Sequence, residues 1–148
     1  MRLHGEHKYS SRPTDQHQKD LKNTQIVVNK MIRERDAGLA CITCERLLPL
    51  SAGHFCTSTN AATRYHPFNL HGQCNSCNAY NGGMTWEYGR FIDQKYGIGW
   101  SDFLKEIARP KEIWTTEELS QLRSAARMGY PVYLQLYFTL KPKHLLLN

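Results

Sequence analysis

No stretch of this 148-residue chain approaches the roughly 18 consecutive apolar residues that span a bilayer, so a membrane-embedded role is not expected. The first residues, Met-Arg-Leu-His-Gly-Glu-His-Lys, contain no apolar segment of the kind that directs secretion. Internal repeats are absent, and nothing marks a second domain. Acidic residues are the scarcer charge, 13 Asp and Glu against 19 Lys and Arg, for a net charge of +6. That imbalance suits a polyanionic partner such as DNA or RNA, but mild basicity alone also fits many proteins without one. Cysteine is sparse as well, with five residues, an odd number. These features together lead us to expect a cytoplasmic protein with reduced thiols, in which paired cysteines hold metal more readily than they form disulfides.

Four of the cysteines fall into two CxxC pairs, Cys41-Ile42-Thr43-Cys44 and Cys74-Asn75-Ser76-Cys77. Four thiolates in two knuckles suit one tetrahedral Zn2+, and a closed four-sulfur site is structural rather than catalytic. A thioredoxin-like redox role fits either pair alone but not two pairs outside a βαβ pattern. Chemistry must then come from what the zinc holds in place. Gly53-His54 and Asn69 lie between the pairs, and Asn78 directly follows Cys77. A neutral imidazole takes a proton from water near neutral pH, so His54 is the candidate general base. A surface or packing histidine is the plainer alternative. The amide of Asn69 is suited to bridging two loop backbones, or simply to capping a turn. The carbonyl of Asn78 is a donor for a hard divalent ion, or the residue is a helix cap.

Along the chain, residues 1–18 read as a polar, flexible lead-in, and 19–148 as one domain. Leu21, Ile26, Val27, Met31 and Ile32 predict a helix from about Asp20 that ends at Gly38. Its basic residues Arg33 and Arg35, and Arg64 further on, are candidates for phosphate contact; solvated surface charge is the alternative for each. Residues 39–85 read as the zinc and candidate active-site core. Short strands are expected around the first knuckle, near Leu48–Phe55 and after Tyr65, and a helix from about Cys74. Residues 86–129 form a helical extension. Trp86, Phe91, Ile92 and Tyr96 are expected on one apolar face, and Ser101 as an N-cap. Thr115-Thr116-Glu117-Glu118 has the spacing of a capping box, and Gly129 with Pro131 stops that helix. Residues 130–148, rich in Val, Tyr, Phe and Thr over 132–140, predict a strand and tail. His66 reads as a loop residue and Cys56 as buried packing. The tryptophans Trp86, Trp100 and Trp114 suit core positions better than base stacking.

Gly53-His54, Asn69 and Asn78 with the two CxxC pairs resemble the HNH (His-Me finger, ββα-metal) nucleases, in a version with Asn at the third position. The likeness narrows further. The segments 31–44, Ala52-Gly53-His54-Phe55, 69–78, Glu87-Tyr88 and 110–119 resemble the NinG/Rap recombination endonucleases of lambdoid phages, over about residues 20–127. This resemblance implies an α+β fold with a zinc-stabilised ββα-metal core, an N-terminal helix and a helical C-terminal extension. It implies metal-dependent cleavage of branched DNA, such as Holliday junctions and D-loops, in the cytoplasm of the bacterial host. Mg2+ or Mn2+ would be the catalytic ion, a homodimer would make paired nicks, and phage or host recombination proteins would be partners. Carried over, His54 is the base, Asn69 orders the loop, Asn78 ligates the ion, and Cys41, Cys44, Cys74 and Cys77 bind zinc. One departure matters: many HNH nucleases place a metal-ligating Asp just before the histidine, where this chain has Gly53. His71 is a candidate replacement ligand, with a supporting or packing role equally open. Two rivals remain: a nicking or restriction-type HNH enzyme, and a non-catalytic zinc module that binds nucleic acid.

Overall fold

The structure of the protein, a computed structural model, describes residues 15–146. It is a mixed α+β fold, mostly helical, built around one two-stranded antiparallel sheet. Helix α1 spans Asp15–Arg35 and buries Thr24, Val28, Met31 and Ile32, the i, i+4, i+7, i+8 stripe of a helix with one covered face. It starts a turn earlier than the expected Asp20, and a Gln16–Asp20 side-chain hydrogen bond of 3.0 Å spans that first turn. The rest of the expected flexible lead-in, residues 1–14, lies outside the described residues. After α1 the chain turns through Gly38, whose φ of +82° is left-handed.

Strand β1 is Leu50–His54 and β2 is Leu70–Cys74, paired so that Leu50 faces Cys74 and His54 faces Leu70. The first knuckle is a turn and not the expected strand: Glu45 N–H donates back to the Cys41 carbonyl at 2.8 Å, with Glu45 at φ +62°. Ile42 N–H joins that turn to β2 at the Gly72 carbonyl, 3.2 Å away. The second knuckle leads into a single π-helical turn, Ser76–Tyr80.

Four further helices follow: α2 (Thr85–Tyr96), α3 (Trp100–Ala108), α4 (Thr116–Met128) and α5 (Tyr130–Leu140). Ser101 is not the cap of α3. Gly99 is, at φ +100°, and the Asp93 carboxylate of α2 accepts from Ser101 N–H at 2.8 Å and from its hydroxyl at 3.1 Å. An anionic acceptor from a neighbouring helix thus satisfies the start of α3. The capping box of α4 forms as expected, with Glu118 N–H donating to Thr115 Oγ1 at 3.1 Å and Thr115 N–H to Glu118 at 3.3 Å.

The expected C-terminal strand is helix α5. Its Val, Tyr, Phe and Thr content favours strand locally, but Tyr133 and Tyr137 stand four residues apart and are both fully buried. Gly129 at φ +114° turns α4 into α5, and Pro131 sits in the first turn, where its missing N–H costs nothing. Packing of the two tyrosines overrides the local preference.

The sheet lies between two helical layers. On one side Ala52 and Leu70 pack with α1, α4, α5, Tyr65 and Trp114. On the other, Phe55 and Cys56 pack with Tyr88 and Ile92 of α2 and with Trp100 and Leu104 of α3. Trp86 departs from the expected apolar face: it is 69 % exposed, with the Arg90 guanidinium 4.9 Å from its ring centre. His66 is also no ordinary loop residue. It is fully buried, its Nε2–H donates to the His144 carbonyl at 3.0 Å, and its Nδ1 accepts from Phe68 N–H at 3.0 Å. No helix among the described residues is long and apolar enough to cross a membrane.

Candidate active site and zinc centre

The sulfurs of Cys41, Cys44, Cys74 and Cys77 lie within 4.8 Å of one another, and all five cysteines are free of disulfides. Sulfurs 2.3 Å from one tetrahedral zinc stand about 3.8 Å apart. The Cys44–Cys74 separation of 3.7 Å matches that spacing. The donor set therefore fits one structural zinc, joining the first knuckle to the end of β2. Burial acts to raise the Cys41 thiol, but the Thr43 hydroxyl 3.4 Å away and nearby amides outweigh it and draw it down to about 6.

At the opposite end of the hairpin, a loop from Phe55 to Asn69 leaves β1 and returns to β2. Asn69 is fully buried and closes it. Its Oδ1 accepts from Cys56 N–H at 2.7 Å, and its Nδ2 donates to the carbonyls of Cys56 at 2.9 Å and Thr63 at 3.0 Å. One amide thus satisfies three buried backbone groups on two parts of the loop.

His54 ends β1, half-buried. Its Nε2 is 3.1 Å from the Arg64 carbonyl, which only accepts hydrogen bonds, so the ring proton sits on Nε2 and the lone pair on Nδ1. Burial pulls its pKa down to about 4, against the Arg64 carbonyl bond, and keeps the ring neutral near pH 7. The Arg64 side chain donates to Gln25 Oε1 of α1 at 3.2 Å and lies over the Tyr65 ring. The loop and His54 are thereby tied together, with a guanidinium beside them.

Asn78 lies in the π-helical turn after the second knuckle. Its Nδ2 donates to Ser51 Oγ of β1 at 3.1 Å, which turns the amide nitrogen inward and leaves the carbonyl oxygen as the donor end. An oxygen of this kind suits Mg2+ or Mn2+.

Both nitrogens of His71 are engaged. Nδ1 is 3.1 Å from Tyr88 Oη, and Nε2 is 2.6 Å from Tyr96 Oη. Tyr88 donates to the Gly53 carbonyl at 2.7 Å, so His71 Nδ1–H donates to Tyr88 and Nε2 accepts from Tyr96. No lone pair is left for an ion. Of the two roles open to His71, the geometry favours support: it braces Tyr88, which holds the carbonyl just before His54.

Arg35 is corrected from a candidate phosphate contact to an interior residue. It makes a bidentate pair with Asp36 at 2.7 and 2.8 Å, donates to the Leu70 carbonyl at 2.9 Å and stacks on Tyr130. Asp36 in turn accepts from Gly72 N–H at 2.8 Å. Burial opposes charge on Asp36, but the Arg35 pair outweighs it and holds the carboxyl below its usual range. Arg33 remains exposed at the end of α1.

Sequence reasoning missed Tyr88 and Gln73. Gln73 is fully buried on β2, and its Nε2 donates to Thr43 Oγ1 at 3.2 Å and to the Gly83 carbonyl at 2.9 Å. A glutamine beside a zinc cysteine signals little on its own; its position opposite Ser51 becomes visible only once the strand register is known.

Comparison with known proteins supports the NinG part of the expected kinship. The family model described as Bacteriophage Lambda NinG protein matches residues 4–130, and the chain belongs to the NinG family. It is 35 % identical over 107 residues to protein ninG of Salmonella phage P22, covering 70 % of this chain and 52 % of that protein. It is 33 % identical over 107 residues to protein ninG of Escherichia phage lambda, with the same shares. The chain thus spans about half the length of the curated relatives it matches. No solved structure matches it significantly.

Proposed function

We propose that this chain is an HNH-type DNA endonuclease that cuts branched recombination intermediates. The observation that carries the reading is His54. Its imidazole is neutral, its proton is held on Nε2 by the Arg64 carbonyl, and its loop is closed by Asn69 at the end of a hairpin whose other end carries four clustered cysteines. The hairpin followed by a short helical turn bearing Asn78 supports a ββα-metal arrangement. In this reading His54 Nδ1 takes a proton from the water that attacks the scissile phosphorus. Arg64 holds a phosphate oxygen beside the base. Asn78 offers its carbonyl oxygen to the divalent ion, with Asn69 keeping the loop closed throughout. Mg2+ or Mn2+, when bound, supplies positive charge for the crowded phosphate and the departing 3′ oxygen.

Support for unpaired or branched DNA is two exposed aromatic side chains in the segment that follows the second knuckle. Tyr80 is 79 % exposed and Trp86 69 %, the latter with Arg90 over its ring, a combination suited to stacking on bases at a break in the duplex. Arg33 adds exposed positive charge at the end of α1. Paired nicks across a junction call for a homodimer, and phage or host recombination proteins are the natural partners.

The test compares a labelled four-way junction with its matched linear duplex, with Mg2+ or Mn2+, for wild type and His54→Ala. The expected result is metal-dependent junction cutting that falls by about 10²–10⁴-fold in the variant while binding survives. Equal cutting of the linear duplex points instead to a nicking or restriction-type enzyme. Binding without cutting points to a zinc module without catalysis.

A further inference from the structure

Position 53, just before the proposed base, is glycine, so β1 brings no side-chain ligand there. The space is nevertheless filled. A Cβ built on Gly53 lands on Gln73 Oε1 and lies 2.8 Å from Gln73 Cδ. Gln73 comes from the opposite strand, where it pairs with Ser51. Side chains of Ser51, Gly53 and Gln73 share one face of the hairpin, because paired residues and alternate residues point the same way. Ser51 is also the residue that Asn78 contacts, at 3.1 Å.

Gln73 Oε1 is buried and has no hydrogen-bond partner, although the rest of its side chain is fully engaged. A buried amide oxygen without a partner is costly, so such an atom invites a ligand. The orientation of the amide is determined by its other end. Nε2 donates to the Gly83 carbonyl and to Thr43 Oγ1, so the nitrogen cannot exchange places with the oxygen without setting oxygen against oxygen at Gly83. Thr43 in turn lies 3.4 Å from Cys41 Sγ, and its hydroxyl donates to that sulfur when it is a thiolate.

We propose that Gln73 Oε1 is the second protein ligand of the catalytic divalent ion, supplying from β2 the oxygen that glycine at position 53 cannot supply from β1. The proposal rests on the nuclease reading above and concerns the same site. It pairs two neutral amide oxygens, from Gln73 and Asn78, on one hard cation, which keeps most of its shell for water and phosphate oxygens. It also gives the zinc a second role, because the Cys41–Thr43–Gln73 chain aims the ligand.

The experiment measures Mn2+ binding to the zinc-loaded full chain, by the electron paramagnetic resonance signal of free Mn2+ and by calorimetry, without DNA. Zinc content and circular dichroism establish that each variant is folded. Gln73→Ala and Gly53→Ala, the latter displacing the oxygen, are each expected to weaken Mn2+ binding about tenfold or more. Gly53→Asp combined with Gln73→Ala puts a carboxylate into the vacated space and is expected to bind more tightly than wild type. The proposal is overturned if Gln73→Ala binds as wild type does while Asn78→Ala is weakened, an outcome that leaves the nuclease reading standing. It is equally overturned if the double variant stays as weak as Gln73→Ala. Wild type that binds no Mn2+ overturns both readings. Should Gln73→Ala fail to load zinc, Gly53→Ala, which keeps Gln73, decides the matter: unchanged Mn2+ binding in it overturns the proposal.

Discussion

The two ends of the β1–β2 hairpin are secured by different chemistry. At the Cys74 end, four sulfurs converge within 4.8 Å and two separate segments of chain meet at one point. At the His54 end, a single buried amide and a carbonyl hold a loop from Phe55 to Asn69 in place. A metal tie is strong and all-or-none, because the ligands have no comparable alternative partners. A hydrogen-bonded tie is weaker but directional, and it sets which nitrogen of His54 carries the proton. On the nuclease reading this difference is a division of labour, with one end fixing the fold and the other orienting the proposed base.

The sharpest way to break this comparison is to remove the metal tie. The purified chain is expected to carry one zinc, and stripping it with a strong chelator is expected to lower the melting temperature by at least roughly 10 °C. Metal analysis and thermal circular dichroism measure both. An unchanged melting curve after complete zinc loss would remove the structural role of the knuckles.

Cutting the amide tie is the next largest effect. Asn69→Ala removes the side-chain partner of the Cys56 N–H and carbonyl and leaves the Thr63 carbonyl only its bond from His66 N–H, and is expected to cost about 2–4 kcal/mol in urea unfolding, with zinc still bound. A loss below roughly 0.5 kcal/mol, the scale of an ordinary surface change, would mean that the loop is closed by something else.

Acid sharpens the comparison from another side. His54 and His66 are both held neutral by burial, with pKa values lowered to about 4 and about 3. The unfolded chain, with histidines near 6.5, binds more protons than the folded one between those values. Stability is therefore full above about pH 6.5 and declines as pH falls towards 4 and below. A melting-temperature fall of roughly 5 °C from pH 7 to 5 is expected before zinc leaves, with a chromogenic chelator reporting any release. His66→Gln, which lacks the titrating ring, is expected to show a shallower slope; an identical slope would clear His66 of the effect.

The smallest expected effect is at the surface of the chemical end. Arg64→Ala is expected to leave stability within about 0.5 kcal/mol, weaken DNA binding several-fold and reduce the salt dependence of binding by about one unit of slope. Binding titrations at several salt concentrations measure it. An unchanged slope would show that the Arg64 guanidinium does not meet phosphate.

The sequence was most legible where one local rule determines the outcome. The CxxC pairs announce a four-sulfur cluster, and Thr115 with Glu118 announces the start of α4. It was least legible where a distant partner decides. Tyr133 and Tyr137 form helix because both bury their rings, donating to the Tyr65 carbonyl at 2.6 Å and the Ala62 carbonyl at 3.4 Å, contacts invisible in the local pattern. Arg35 looked like Arg33, two residues earlier, yet one turns inward to Asp36 and the other faces solvent. The three residues of the candidate site stood out as residue types. The devices that orient them, Tyr88 on the Gly53 carbonyl and the Arg64 carbonyl on His54, depend on chain segments 10 to 35 residues away.

The closure at Asn69 has a further consequence for how this site tolerates change. Both braces, at Cys56 and at Thr63–Arg64, lie at the base of the loop, and Thr57–Thr59 at its tip are exposed. Residues gained or lost at that tip leave the braces on His54 untouched, since these sit at Cys56 and at Thr63–Arg64. On the nuclease reading, the loop is thus a place where length and composition can vary apart from the groups that orient His54, a modularity obtained from one asparagine.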